Sequence, residues 1–300
     1  MTTISVIVPT FNRSAFLREA VDSVLNQTSG DLELIVVDDG STDDTVALCV
    51  GYGDKLHYLS QSHRGVSAAR NLGLQHARGP LLAFLDSDDL WTPSKLARQV
   101  EWMAAHPEVQ LCHTNETWIR RGLRVNQKKI HQKAGGWIYP LCLPRCLISP
   151  SSVLMRRELF GYIGVFDEAL PVCEDYDLWL RATSRFSVGF LDEPLIVKRG
   201  GHGDQLSHSE WGIDRYRVYA LLKILAAGGL PDDWREQSVA TLKRKCHILA
   251  TGYRKHGHIM EAHLFTEVSH DSDQGHFDPH RLLGHFQRRS GTRQHDRGTI

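Results

Sequence analysis

The sequence lacks net charge, long apolar runs, an export signal and a dense set of cysteines. Its 300 residues carry 35 Lys+Arg against 35 Asp+Glu. A dedicated nucleic-acid binder carries a basic excess, so no nucleic-acid partner is expected. No apolar stretch approaches the roughly 20 residues of a membrane span, and the most apolar helical segment, 219–227, is interrupted by Lys223. The opening Met-Thr-Thr-Ile-Ser-Val-Ile-Val-Pro has no basic leader and no cleavage site. It reads as a first strand, and a cytoplasmic protein is expected. Six scattered cysteines are expected to be free thiols. Cys142 and Cys146 lie four apart, but no second pair of zinc-site spacing flanks them, so no structural zinc is expected.

What is present is ordinary globular material, 41% hydrophobic and 23% charged, with an unusual 17 histidines. The first hundred residues alternate strand and helix patterns. Strands are expected at 4–8, 32–37, 56–59 and 80–85, and helices at 15–26, 67–76 and 93–106. Ser41 or Thr42 is expected to cap the helix after the second strand, with Asp43 and Asp44 in its first turn. This order implies a mainly parallel sheet with helices on both faces. Further strands are expected near 109–119, 152–155 and 187–197, and a helix at 174–185. Helical patterns dominate from residue 211.

Ligands of open α/β sheets bind beyond the carboxyl ends of the strands. Three polar motifs sit there: Pro9-Thr10-Phe11-Asn12, Asp38-Asp39-Gly40-Ser41 and Asp86-Ser87-Asp88-Asp89. Carboxylates this close repel one another unless a cation or a donor network offsets them. A hard divalent ion takes oxygen ligands, often one or two carboxylates plus substrate phosphates. A capped, solvated turn is the competing reading. Arg70 and Asn71, in Gly65-Val66-Ser67-Ala68-Ala69-Arg70-Asn71, offer donors suited to phosphate or ribose oxygens, or else pack a helix through a structural ion pair. Glu174-Asp175-Tyr176-Asp177 opens a helix, where acids complement the dipole. A carboxylate there also suits a general base.

Taken together, residues 6–13, 37–43, 65–71, 84–89, 166–168 and 174–179 resemble the family 2 glycosyltransferases, in order and at suitable spacing over residues 4–207. The resemblance implies a glycosyltransferase-A fold: a Rossmann-like, three-layer α/β/α sandwich that binds a nucleotide-sugar. It implies that Pro9, Thr10 and Asn12 lie against the nucleoside and that Asp39 reads the base. Arg70 and Asn71 would approach ribose or diphosphate. Asp86 would lie near ribose and metal, and Asp88 would ligate Mn²⁺ or Mg²⁺. Asp175 would be the catalytic base, with Glu174 orienting acceptor or base. His202, in Gly201-His202-Gly203-Asp204, is a candidate further metal ligand or diphosphate contact. The family inverts configuration by single displacement. Processive members carry a Gln-x-x-Arg-Trp motif and membrane helices, and neither occurs here. The expected function is therefore non-processive transfer of one sugar to a glycan or lipid-linked acceptor in cell-surface glycan assembly. A catalytically inactive binding module is the alternative. A sugar-1-phosphate nucleotidyltransferase would need a Gly-rich loop and a Lys near the first strand, which Pro9–Arg13 does not offer.

Residues 1–210 are expected to form the catalytic domain, with 1–106 binding the nucleotide-sugar and 107–210 the acceptor. A C-terminal helical extension is expected at 211–268 and a disordered tail at 269–300. Residues 1–100 hold 12 acids and 8 bases, whereas 101–200 hold 11 and 13. The six bases and no acid of 120–133 read equally as a solvated loop or as a surface for a lipid-linked phosphate or a membrane, which leaves peripheral membrane association open.

Overall fold

Seven consecutive buried residues make β1 (Ile4–Thr10) the central strand of the first structural unit. The computed structural model describes residues 4–29, 31–201, 203, 211–271, 278–280 and 282–284. After β1 come α1 (Ser14–Leu25), β2 (Leu32–Asp38), α2 (Thr45–Tyr52), β3 (His57–Ser60), α3 (Val66–His76), β4 (Leu81–Phe84), β5 (Leu90–Trp91) and α4 (Lys95–Ala105). The chain continues through β6 (Leu111–Arg120), β7 (Leu123–Val125), α5 (Tyr139–Cys142), β8 (Leu154–Arg156), α6 (Leu159–Ile163), α7 (Glu174–Thr183) and β9 (Gly189–Gly200). It ends in α8 (Asp214–Ala227), α9 (Asp232–Lys255) and α10 (Ile259–Asp271). Two compact units result: Met1–Ile138 with Cys146–Ser209, and Tyr139–Arg145 with Glu210–Ile300.

The first unit holds a sheet in the order β3-β2-β1-β4-β8-β6-β9-β5, with β7 paired to β6. β1 pairs in parallel with β2 (Ile4↔Leu32 to Thr10↔Asp38) and with β4 (Ile4↔Leu81). Strands covered on both faces read as continuous apolar runs, as β1 and β2 do. One face packs Val6 and Val8 against Leu17, Val21 and Val24 of α1 and Leu96 of α4. Each such side chain contributes about 1.5–3 kcal/mol on burial. On the other face α3 approaches so closely that a Cβ on Gly73 would lie 2.5 Å from Ile7 Cγ2. Only glycine permits this contact, which fixes the height of α3 over β1.

The mainly parallel sheet holds: β1 to β4 pair in parallel, and β6 and β9 do so from Cys112↔Gly189 to Arg120↔Gly200, while the antiparallel pairs are short. β8 is antiparallel to both β4 and β6, and β5 is antiparallel to β9. The expected cap is displaced. Asp44 precedes α2, and Asp43 Oδ1 accepts from the backbone and hydroxyl of Thr45 at 3.1 and 2.6 Å. Ser41 and Thr42 instead bond Asn12.

In the second unit Tyr139 stacks on Trp234 at 5.0 Å and bonds Ser238, while Tyr253 stacks on Phe265 to join α9 to α10. The tail expected from residue 269 begins inside α10, which runs to Asp271, and Leu282 is buried. No helix among the described residues is long and apolar enough to cross a membrane.

Candidate functional site

The chain steps from β1 outward to β2 and β3, then returns to β4 on the other side of β1. The carboxyl ends of β1 and β4 therefore flank the point where strand order reverses, the usual ligand crevice of such sheets. Pro9 and Thr10 end β1 in buried backbone. Thr10 O accepts from Asp39 N at 2.9 Å, while its buried Oγ1 has no partner among the described residues. An orphaned hydroxyl at this edge is a free group for a ligand. Asn12 adopts φ +51°, and its Oδ1 accepts from Thr42 N at 2.7 Å.

Asp39 is already saturated. Its Oδ1 accepts from Gln61 Nε2 (2.6 Å) and Arg64 N (2.8 Å), and its Oδ2 from Gly65 N (2.8 Å) with His63 Nδ1 at 2.9 Å. In this arrangement it holds the 61–65 turn that leads into α3. Phe11 and His63 stack at 4.1 Å beside it.

Arg70 makes the structural ion pair that was one of its two expected uses. It is 3% exposed, and its guanidinium joins Glu174 Oε1 (2.5 Å) to Asp86 Oδ1 (2.7 Å). It is a strut between the β4 end and the α7 start. Asn71 is likewise engaged: Nδ2 donates to Phe166 O and Glu168 Oε1, each at 3.0 Å, and Oδ1 accepts from Phe166 N. Both side chains tie α3 to motifs near residues 166–174.

Beyond β4 the three aspartates have separate surroundings. Asp86 keeps 29% side-chain exposure beside Arg70. Asp88 pairs with Arg13 at 2.9 Å. Asp89 is buried, accepting from Ser151 Oγ (2.7 Å) and Arg199 N (3.0 Å), and burial pushes its carboxyl up. Asp86 and Asp88 offer the oxygen donors that suit Mn²⁺ or Mg²⁺. Among the described residues no group of three or more His, Cys, Asp or Glu gathers to hold a metal. The residues therefore fit an ion that takes one or two carboxylates and draws its other oxygens from a diphosphate. His202 lies outside the described residues.

α7 starts with Glu174 and Asp175, after Cys173 at φ +65°. Burial pushes the Glu174 carboxyl up to about 7, with Arg70 opposing and Asp175 adding. Asp175 is partly exposed. Its Oδ1 accepts from Tyr176 N (2.7 Å) and its Oδ2 from the Cys146 thiol (3.1 Å). Asp177 is buried and structural, paired with Arg181 one turn on at 2.6 Å.

A second charged cluster escaped sequence reasoning. Glu116 pairs with Lys133 at 3.1 Å and accepts from Trp118 Nε1 and Ser149 Oγ, each at 2.8 Å. Lys198 donates to the same Ser149 Oγ at 3.1 Å. Burial works to raise the Glu116 carboxyl, yet Lys133 and Lys198 hold it down at about 2. Lys133 is thus a buried partner and not part of a basic surface, which corrects the reading of 120–133 as six free bases. A lone acid inside the β6 pattern was the available signal.

Residues 5–160 match the family described as glycosyl transferase family 2. An uncharacterized glycosyltransferase of Rickettsia typhi is 28% identical over 272 residues, covering 87% of this chain and 83% of the relative. A PGL/p-HBAD biosynthesis glycosyltransferase of Mycobacterium tuberculosis is 30% identical over 213 residues, covering 69% and 77%. The chain spans only 30–35% of the length of three other rickettsial glycosyltransferases. Among solved structures, S. aureus TarS 1–349 in complex with UDP-GlcNAc aligns with a TM-score of 0.62 and 19% identity, covering 92% and 93%. The mannosyltransferase PcManGT from Pyrobaculum calidifontis, in complex with GDP-Man and Mn²⁺, aligns at 0.56 and 19%, covering 99% and 88%. These likenesses establish the glycosyltransferase-A fold.

Proposed function

Because the chain belongs to glycosyl transferase family 2, we propose that it moves one sugar from a nucleotide-sugar to an acceptor hydroxyl by inverting single displacement. The observation that carries this reading is the Arg70 bridge. It brings Asp86, at the end of a donor-side strand, and Glu174, 104 residues from Arg70, onto one buried guanidinium. Donor-side and acceptor-side carboxylates thereby share one site.

In this reading the backbone of Pro9 and Thr10, with Thr10 Oγ1, meets the nucleoside, and Asn12 and Asp39 hold the loops that frame it. Asp175 takes the acceptor's hydroxyl proton as the new C–O bond forms on the sugar. The bond from the sugar to the diphosphate breaks on the opposite face, and the diphosphate leaves with the electron pair, so configuration inverts. Glu174, fixed by Arg70, orients Asp175 and the acceptor. Asp88, with Asp86, would hold a divalent ion, which when bound offsets the charge of the leaving diphosphate. No second carboxylate is needed as a nucleophile.

The reading extends to one sugar per encounter, to a glycan or lipid-linked acceptor of the cell envelope, and to work at the cytoplasmic face of the membrane. One relative is named a PGL/p-HBAD biosynthesis glycosyltransferase, which supports an envelope role.

The test is calorimetric titration with a panel of UDP- and GDP-sugars, with and without Mn²⁺, followed by turnover on the same panel. Wild type should bind one donor in a metal-dependent manner and transfer or slowly hydrolyse it. Asp88→Ala should lose the metal-dependent part of binding. Undiminished binding by Asp88→Ala would remove the metal assignment. A folded protein that binds nucleotide but turns over no donor would be the inactive module.

A further inference from the structure

The tip of the β6–β7 hairpin, residues 120–124, and the turn at 128–131 take no part in the site described above. Arg120 and Leu123 face each other across the ladder, and the two residues between them form a tight turn. Arg121 and Gly122 have φ +50° and +78°, the pattern of a two-residue loop that demands left-handed backbone at both positions. The turn therefore holds a definite tip rather than a floppy loop. At that tip Leu123 is 72% exposed, and close by Ile130 is 56% exposed. The packing of His131 on Trp118, ring centroids 5.0 Å apart, brings the 129–131 turn back to the hairpin.

Around these two apolar side chains stand five exposed bases: Arg120, Arg121, Arg124, Lys128 and Lys129. None of the five forms an ion pair among the described residues, in contrast to Lys133, which is spent on Glu116. Arg120 lies over the Trp118 ring at 5.4 Å, which props its charge at the tip. No acid occurs between residues 117 and 133. A basic cluster without counter-charges among the described residues, in a chain of zero net charge, is a local field suited to an anionic surface. Exposed aliphatic side chains at its centre suit a surface that is charged outside and apolar within.

We propose that the tip of the β6–β7 hairpin docks this protein onto an anionic phospholipid bilayer, with Leu123 and Ile130 entering the headgroup boundary and the five bases meeting lipid phosphates. Each base near such a surface contributes about 1 kcal/mol, or about fivefold in affinity. Apolar contact adds a part that salt does not screen. Trp118 and Arg120 share a strand face with Glu116, so the hairpin extends the same face of β6 that carries the acceptor-side cluster. Docking there would bring that face towards membrane-borne acceptors.

The experiment is co-sedimentation of the full chain with phosphatidylcholine vesicles, with and without about 30% phosphatidylglycerol as the anionic lipid. The expected result is binding to the anionic vesicles at low salt, a steep loss with added salt, and little binding to phosphatidylcholine alone. The triple variant Arg120→Gln, Arg121→Asn, Arg124→Gln should bind about a hundredfold more weakly. Asn is chosen at 121 because it tolerates positive φ. Leu123→Asp should weaken binding even where salt has removed the electrostatic part. Melting temperatures of both variants should match wild type, since the substituted groups are exposed. No anionic preference by the wild type, or equal binding by the folded triple variant, would overturn the proposal. So would preferential capture of single-stranded RNA in competition with the vesicles, which would assign the bases to a nucleic acid.

Discussion

Asp39 and Glu174 are both buried carboxylates at element ends, 3% and 4% exposed, and they are held in different ways. Asp39 accepts from two backbone amides, a glutamine and a histidine, all within 26 residues of it. Its neighbours Asp38, Asp43 and Asn12 also bond mainly to backbone amides and hydroxyls of nearby turns. Glu174 is held by a guanidinium 104 residues away, and Glu116 by the ammonium of Lys133. The proposed nucleotide end is thus built from carboxylates that shape loops, and the proposed acceptor end from charges that answer charges. A hydrogen bond to a backbone amide survives modest change, whereas a buried ion that loses its partner is left uncompensated. Substitutions should therefore be milder at the nucleotide end and harsher at the acceptor end.

The largest effect expected tests the chemical half of this contrast. Asp175→Asn keeps the size of the side chain and one acceptor oxygen for Tyr176 N, but it cannot take a proton. Turnover should fall by roughly 10²–10⁴ with donor affinity retained. Steady-state kinetics with a donor-binding titration would show it, and near-wild-type turnover would move the base elsewhere.

How much of this could be read from the sequence follows the same division. The motifs at the ends of β1, β2 and β4 are contiguous, so their place at the crevice was legible from strand pattern alone. Glu174 and Asp175 were legible as a helix start. The partner of Arg70 was not, because nothing in residues 65–71 tells which of several distant acids a buried guanidinium will meet. The Glu116–Lys133–Ser149–Lys198 cluster was hidden for the same reason. Its members lie on β6, on the segment after β7, before β8 and on β9, and only the sheet order brings them together. The antiparallel β5, β7 and β8 are two or three residues long, too short for a periodic signal. Asp39 was legible in position but its hydrogen bonds were not, since saturation of a carboxylate depends on the turn that folds round it.

The next effect tests the structural half. Arg70→Met would leave Glu174 and Asp86 facing each other without their shared cation. Removal of one member of a buried ion pair costs about 3–5 kcal/mol. Chemical denaturation should show a loss in that range, and adding Glu174→Gln should recover part of it, since one of the stranded charges is then gone. A loss below about 1 kcal/mol would mean that the bridge contributes no more than a surface pair.

The smallest effect has the opposite sign, and it comes from a cation that no acid answers. Lys95 is fully buried on α4, with its Nζ 2.7 Å from Gln99 Oε1 and 4.0 Å from the centre of the Trp91 ring. Burial lowers its ammonium from an ordinary 10.5 to about 7. The unfolded chain therefore holds this proton more tightly than the folded one between about pH 7 and 10.5. Stability from this group rises with pH through that window, and the full penalty applies below it. Lys95→Met keeps the volume and the contact with Trp91 while removing the charge. It should stabilise the fold by about 1–3 kcal/mol at pH 7 or below, with the gain shrinking as pH approaches 10. Melting curves of the two proteins at pH 6, 8 and 10 would compare them directly, and the difference isolates Lys95 from the cysteines and tyrosines that also titrate when alkaline. A loss of stability at pH 6 would show that the ring face and Gln99 compensate the buried ammonium fully, and the acceptor-end rule would then not extend to cations.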